Sequence, residues 1–255
     1  AAALTFLNTD TDNNTEYLAR KIIINTQAGS VVSALTHALL AHQNADGGFG
    51  DQPDYASSVL DTALALEALA AARFGDANVI GRAVFFLTQQ QQADGGFNLT
   101  AGNTTSVYLT SRALLALQGV QFNYNVAAHI GKAREYLLQT QIAGGGWSDD
   151  ADTVMALVAV VPVTTDATRY VNALNVLRAH QRTDGSWGAD SYTTALALRA
   201  LYLAENTNTS VTPTLGNLTG RVIDNATGLP LAGVTVTLDT VTGITATTTT
   251  SGVFT

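Results

Sequence analysis

The side chains of this 255-residue chain that could do chemistry are few, and most are carboxylates. Two loops gather oxygen ligands: Asp46, Asp51 and Asp54 in one, Asp149, Asp150 and Asp152 in the other. Oxygen-rich loops hold calcium, so the second loop is a candidate calcium site and calcium the one candidate cofactor. Solvated turns and helix caps account for the same residues equally well. Asp61 and Glu67 are the only acids in one long apolar helical stretch. On a cavity wall either could act as an acid, although Asp61, near the start, also suits a capping role. Tyr55, Tyr108 and Tyr192 stand near the starts of three helical stretches, where they could stack a sugar or a lipid or simply pack a rim. His37, His42, His129 and His180 form neither His-x-x-x-His nor His-Glu-x-x-His spacing. The chain has no cysteine, which excludes disulfides, thiolate metal sites and thiol nucleophiles. Neither a Gly-x-Ser-x-Gly elbow nor a phosphate loop occurs.

What would position these groups is a motif present four times: Gln43-x-x-Asp46-Gly47-Gly48-Phe49, Gln91-x-x-Asp94-Gly95-Gly96-Phe97, Gln141-x-x-Gly144-Gly145-Gly146-Trp147 and Gln181-x-x-Asp184-Gly185-Ser186-Trp187. Successive glutamines lie 48, 50 and 40 residues apart. Repetition at this period marks stacked helical hairpins. Each motif falls where an amphipathic helix ends, its glycines supplying the left-handed backbone that stops a helix. The aromatic should pack over the turn, and the glutamine amide should bond free backbone groups at the next helix start.

Three stretches are apolar nearly all round and should be buried on every side: Ser57 to Phe74, Thr104 to Gln118 and Ser191 to Ala204. Caps for these inner helices are expected at Ser57 or Ser58, Thr104 or Thr105 and Ser191, with Asp150 or Asp152 capping another. Between them run amphipathic helices, Asn78 to Gln91, Asn125 to Gln141 and Ala167 to Gln181, carrying Arg82, Lys132, Arg134, Arg169 and Arg178 toward solvent. The alternation implies an inner ring of helices within an outer ring. Phe6-Leu7 stands where Phe86-Leu87 and Tyr136-Leu137 stand in their repeats, and a further helix opens at Thr15, giving about five hairpins. Residues 207–216 read as a linker. From 217 to 255, period-two alternation gives strands over Leu218–Ile223, Val234–Leu238, Thr245–Thr250 and Val253–Thr255, a small β-sandwich that ends early.

Composition narrows the partners. Hydrophobic residues make up 46% and charged residues 13%, and the formal net charge is -8 with lysine only at Lys21 and Lys132. A nucleic-acid binder needs a basic stripe, and an anionic membrane surface is disfavoured for the same reason. No apolar run reaches the ~18 residues of a membrane span. A cysteine-free, acidic chain rich in Thr, Asn and Gly fits an extracellular or cell-surface protein of bacterial type.

Arg82-Ala83-x-x-Phe86-Leu87-x-x-x-Gln91-x-x-x-Gly95-x-Phe97 resembles the QW repeat of squalene–hopene cyclases and protein prenyltransferases, and Lys132-Ala133-x-x-Tyr136-Leu137-x-x-x-Gln141-x-x-x-Gly145-x-Trp147 matches at least as well. The resemblance covers residues 1 to about 206 and implies an α/α toroid. The cyclases protonate an alkene through Asp-x-Asp-Asp, which is missing here, since Asp149-Asp150-Ala151-Asp152 has another order. The prenyltransferase zinc set of Asp, Cys and His cannot form, and the Cys-Gly-Glu-Gln element of thioester toroids is absent too. The tail resembles a carboxypeptidase regulatory-like domain, a transthyretin-like sandwich, through Gly220-Arg221-Val222, Thr227-Gly228-Leu229-Pro230-Leu231-Ala232-Gly233-Val234-Thr235-Val236 and Ser251-Gly252-Val253-Phe254.

These readings lead to a mainly α chain: a toroid at 1–206 and an incomplete β-sandwich at 217–255. The expected function is a non-catalytic extracellular scaffold or binding module that engages a protein partner, or further copies of itself as a fibre, through the β-domain edge. A glycan or lipid ligand is compatible with the tyrosines. The alternatives are a terpenoid cyclase-like or polysaccharide-lyase-like enzyme, or a small-ligand binder using the toroid cavity.

Overall fold

The structure, a computed structural model, describes residues 2–99, 104–208, 220–224, 227, 229–237 and 245–254. Two compact units divide the chain, Ala1–Asn208 and Thr209–Thr255.

The first unit is an α/α toroid. Ten α-helices are described: α1 (Ala2–Thr9), α2 (Thr15–Gln27), α3 (Ser33–Leu40), α4 (Val59–Ala71), α5 (Ala77–Gln89), α6 (Val107–Val120), α7 (Ala127–Gln139), α8 (Asp150–Val160), α9 (Val171–Ala179) and α10 (Ser191–Asn208). The even-numbered helices pack side by side in sequence order as the inner ring, and α3, α5, α7 and α9 lie outside α2, α4, α6 and α8 respectively. Leu64, Leu66 and Leu69 of α4, Leu114 and Leu117 of α6 and Leu157 and Val158 of α8 form the shared core. An inner helix touches neighbours on nearly every side, so its sequence loses the polar stripe that an outer helix keeps.

Two departures from the sequence pattern are informative. The helix expected from Ala167 breaks into a 3-10 turn at Ala167–Arg169 followed by α9. And α10, apolar enough to be buried on every side, exposes one flank, with Leu198 57% and Tyr202 65% accessible. A sequence reports how apolar a helix is, while burial also needs a neighbour.

The α4 cap falls on one of the two serines expected, and the caps of α6, α8 and α10 each shift by one residue. Ser58 caps α4 and Ser106 caps α6, each hydroxyl accepting a backbone N–H of the first turn. The neighbouring Ser57 and Thr105 hydroxyls instead donate to Asp46 and Asp94 of the preceding motif turns, both at 2.8 Å. Asp149, rather than Asp150 or Asp152, caps α8, and Asp190 accepts the Tyr192 and Thr193 N–H groups at the start of α10.

In the second unit Gly220–Arg221 (β1) pairs antiparallel with Val253–Phe254 (β4), and Thr235–Thr237 (β2) with Thr245–Thr247 (β3). The strands lie within the expected segments. Leu218, Thr219, Asn225, Ala226, Gly228, Leu238 and Thr255 fall outside the described residues, as does most of the expected linker.

Candidate functional site

The four motif turns are one structure repeated. In each, the residue after the glutamine donates its N–H to the carbonyl of the second glycine position, Asn44, Gln92, Ile142 and Arg182 to Gly48, Gly96, Gly146 and Ser186, and accepts the N–H of the first glycine position. Gly47, Gly95, Gly145 and Gly185 all have positive φ, between 84 and 106°, a conformation that only glycine adopts without strain. Asp46, Asp94 and Asp184 accept the N–H two residues on, at 2.9–3.0 Å. Phe49, Phe97, Trp147 and Trp187 are buried as expected. Both indole N–H groups donate backward to carbonyls of the outer helix that precedes them, Trp147 to Leu137 and Trp187 to Leu177.

The glutamines act differently from expectation. Their amides donate to carbonyls and skip the following inner helix. Gln43 Nε2 reaches Gly47 O at 2.9 Å and Val79 O of α5 at 3.0 Å, and Gln91 Nε2 reaches Gly95 O and His129 O of α7, both at 3.0 Å. Gln141 reaches Arg169 O at 2.9 Å. Gln43 and Gln91 therefore fasten their turns to the next outer helix, and Gln141 fastens its own to the 3-10 turn that precedes α9. A further repeated bond gave no sequence signal of its own. The motif aromatic N–H donates to a threonine hydroxyl on the inner helix, from Phe49 to Thr62, Phe97 to Thr110, Trp147 to Thr153 and Trp187 to Thr194, at 2.9–3.0 Å.

Inside the ring, the starts and middles of the inner helices bring together a polar group. Arg112 Nη2 of α6 lies 3.0 Å from Glu67 Oε1 of α4. The angle of this charge contact misses hydrogen-bond alignment, and both Glu67 Oε1 and Arg112 Nε are buried with no hydrogen-bond partner among the described residues. Burial pushes the Glu67 carboxyl up, against the pull of Arg112, Arg199 of α10 and Arg20 of α2. Arg20 in turn pairs with Glu16 and lies over the Tyr192 ring at 5.0 Å, a separation suited to cation–π attraction. Burial also raises the Tyr108 hydroxyl, which feels Tyr192, Arg112, Glu16 and Arg20. Tyr108, Leu60, Leu99, Thr104, Ser106 and Leu109 line a groove of about 420 Å³ at the ring mouth, within the usual range of small-ligand sites.

The structure thus brings Tyr108 and Tyr192 together. Tyr55 is 60% exposed on the loop before α4, its carbonyl accepting the Asn44 amide. Asp61 is tied to the α4 cap, accepting the Ser58 hydroxyl at 2.7 Å while its own N–H donates to Ser58 Oγ. Burial raises its carboxyl, Ser58 and His42 opposing. At 1.5 Å per helical residue it sits about 9 Å from Glu67 along α4. The three acids of the second loop have separate partners. Asp149 accepts the Asp152 N–H, Asp150 pairs with His180 Nδ1 at 2.6 Å, and Asp152 accepts the Ser148 hydroxyl. Among the described residues no three acidic or histidine groups converge as a metal site. The arginines around Glu67 carry one sequence signal, that Arg112 and Arg199 are single cations within apolar inner helices. No helix of the described residues is long and apolar enough to cross a membrane.

The prenyltransferase alpha-alpha toroid domain family matches residues 18–84 and 82–227. No curated protein matches the chain. Among solved structures, ent-copalyl diphosphate synthase from Streptomyces platensis superposes with a TM-score of 0.65 at 21% identity, covering 79% of this chain and 46% of that one. This chain therefore spans less than half of the synthase. A protein from Actinoplanes gives a TM-score of 0.63 at 16% identity, covering 75% of each chain. The type II terpene cyclase MstE from Scytonema gives 0.55 at 17% identity, covering 74% of this chain and 63% of that one. At such identities the likeness speaks for the fold. With the family match extending over most of the residues and the inner and outer rings in place, the chain belongs to the prenyltransferase alpha-alpha toroid domain family.

Proposed function

We propose that the toroid is a non-catalytic binding module that takes a glycan or lipid bearing an anionic group at its mouth. The observation that carries this reading is the convergence of Arg20, Arg112 and Arg199 from three inner helices on Glu67, with Glu16 the other acid in the group. The buried Arg112 Nε, without a partner among the described residues, is a donor awaiting an acceptor. The adjoining groove, with Leu60, Leu99 and Tyr108, offers an apolar and aromatic wall. A carboxylate or phosphate could meet the guanidiniums while a sugar face or alkyl chain lies on Tyr108. The β-unit, with its resemblance to carboxypeptidase regulatory-like domains, fits an extracellular or cell-surface setting, with a protein partner met through a β edge. Calorimetric titration with an oligogalacturonate and with a long-chain fatty acid tests the ligand. One of the two should bind, and Arg199→Ala and Tyr108→Ala should each weaken that binding about tenfold, roughly 1.4 kcal/mol. Binding of neither probe, or binding untouched by both substitutions, would reject the reading.

The fold likeness to terpene cyclases supports a second reading, a terpenoid cyclase-like enzyme. Asp61, a carboxyl raised by burial near the mouth, is its best acid. Incubation with linear isoprenoid substrates should then yield a cyclic product that Asp61→Asn abolishes, and an unchanged yield would remove Asp61 from consideration.

A further inference from the structure

Three motif turns each seat the next outer helix by the same pair of contacts. A Cβ added at Gly47 would lie 2.6 Å from the Arg82 carbonyl oxygen of α5, one at Gly95 2.5 Å from that of Lys132 of α7, and one at Gly145 2.3 Å from Asn172 Cβ of α9. Four residues further along each outer helix, a side chain covers the next position of the turn: Phe86 against Gly48, Tyr136 against Gly96, Val176 against Gly146. The fourth turn keeps the shape, but a Cβ added at Gly185 would meet nothing within 4 Å among the described residues, so no outer helix of them is seated there. Beside it runs a groove of about 470 Å³ lined by Asp184, Ser186, Asp190, Thr194, Ala195 and Leu198. This groove continues into the exposed flank of α10 at Leu198 and Tyr202.

The chain also holds an outer helix with the matching register. Arg82-x-x-x-Phe86-Leu87, Lys132-x-x-x-Tyr136-Leu137 and Asn172-x-x-x-Val176-Leu177 are the three seated sequences, and α1 reads Ala2-x-x-x-Phe6-Leu7. In its own chain α1 is fastened to α2 by the paired amides of Asn8 and Asn25, at 3.2 and 2.9 Å. Phe6 is left 78% exposed. One molecule thus carries an open seat and an unused aromatic of the kind that fills such seats.

We propose that the turn around Gly185 and the exposed flank of α10 receive α1 of a second copy of this chain, with Phe6 against Ser186. Three internal examples define the occupant as an outer helix of this repeat, and the register of Phe6-Leu7 selects α1 among them. The site extends the packing already used between repeats, so the same apolar burial drives it. The contact joins two different edges, which makes it heterologous.

The absence of native cysteine makes the test clean. Phe6→Cys and Ser186→Cys are made as separate chains, mixed and oxidised. A disulfide-linked dimer containing one of each is expected on a non-reducing gel, and Leu198→Glu on the Ser186→Cys chain should abolish it. Leu198 is exposed, so that variant should retain its circular dichroism and melting profile. Absence of the mixed dimer overturns the proposal. So does a chain carrying both cysteines that links only within itself, since this would mean that the molecule seats its own α1. A mixed dimer indifferent to Leu198→Glu would overturn the assignment of the α10 flank.

Discussion

The second and fourth motif turns carry the same sequence pattern and the same internal hydrogen bonds, yet they occupy opposite situations. Around Gly95 the turn is enclosed: Gln91 donates through Nε2 to His129 O and accepts through Oε1 from His129 Nδ1 at 2.7 Å, and Lys132 and Tyr136 press on the glycines. Around Gly185 the turn stands open, and among the described residues Gln181 Nε2 donates only to the local Gly185 O, at 3.1 Å. The comparison separates what the motif does by itself from what it does for the ring. The turn is shaped by its own residues, and its cohesion with the next repeat comes from a helix that packs on it.

Breaking the glycines should give the widest contrast. Gly95→Ala combines left-handed strain with a Cβ 2.5 Å from a backbone oxygen, so a loss of about 3–5 kcal/mol is expected. Gly185→Ala carries the strain alone, about 1–2 kcal/mol. Chemical denaturation of the two variants measures this, and equal losses would break the comparison.

Next come the threonines. Thr110→Val leaves the buried Phe97 N–H without its acceptor and should cost about 1–3 kcal/mol. Thr194→Val does the same to Trp187 at a less enclosed place and should cost less than about 1 kcal/mol. The glutamines should follow, with Gln91→Ala near 1–2 kcal/mol and Gln181→Ala near 0.5 kcal/mol, read as a shift in melting temperature. A Gln181→Ala loss as large as that of Gln91→Ala would show that the open turn has a partner after all.

The smallest effect is electrostatic and sharpens the outer-ring joint between the third and fourth repeats. Hydrogen bonds from Arg169, with Arg134 helping, hold the Glu135 carboxyl down at about 2. A depressed carboxylate stabilises the fold above its unfolded pKa, 4.5 here, and that contribution disappears as pH falls toward about 2. The group is well solvated, so the contribution is below about 1 kcal/mol. Stability measured across this window should fall less steeply in Glu135→Gln than in the parent, and parallel slopes would exclude the pair as a contributor.

The fold was legible because four copies of one motif set the period, and because apolar and amphipathic stretches alternate with it. The turn glycines and buried aromatics could be read from type and spacing alone. The α4 cap was legible as one of two adjacent serines, while the α6 cap slipped to Ser106 because the Thr105 hydroxyl goes to the motif aspartate, which only the structure shows. The exposed flank of α10 was illegible because its sequence is that of a buried helix. At the mouth, Tyr108 and Tyr192 were legible by position. The arginine group was not, since Arg20, Arg112 and Arg199 are far apart in sequence and meet only when the ring curves. Asp61 illustrates the converse: its place in sequence already suggested a capping charge, and its two bonds with Ser58 tie it to the α4 cap.

Native-state hydrogen exchange tests the central contrast most directly, because amide protection reports local opening free energy. At low protein concentration the Phe97 N–H, enclosed by α7 and bonded to Thr110, should exchange only through global unfolding. The Trp187 N–H, bonded to Thr194 beside the open seat, should exchange through a smaller local opening. Equal protection of the two amides would contradict the account.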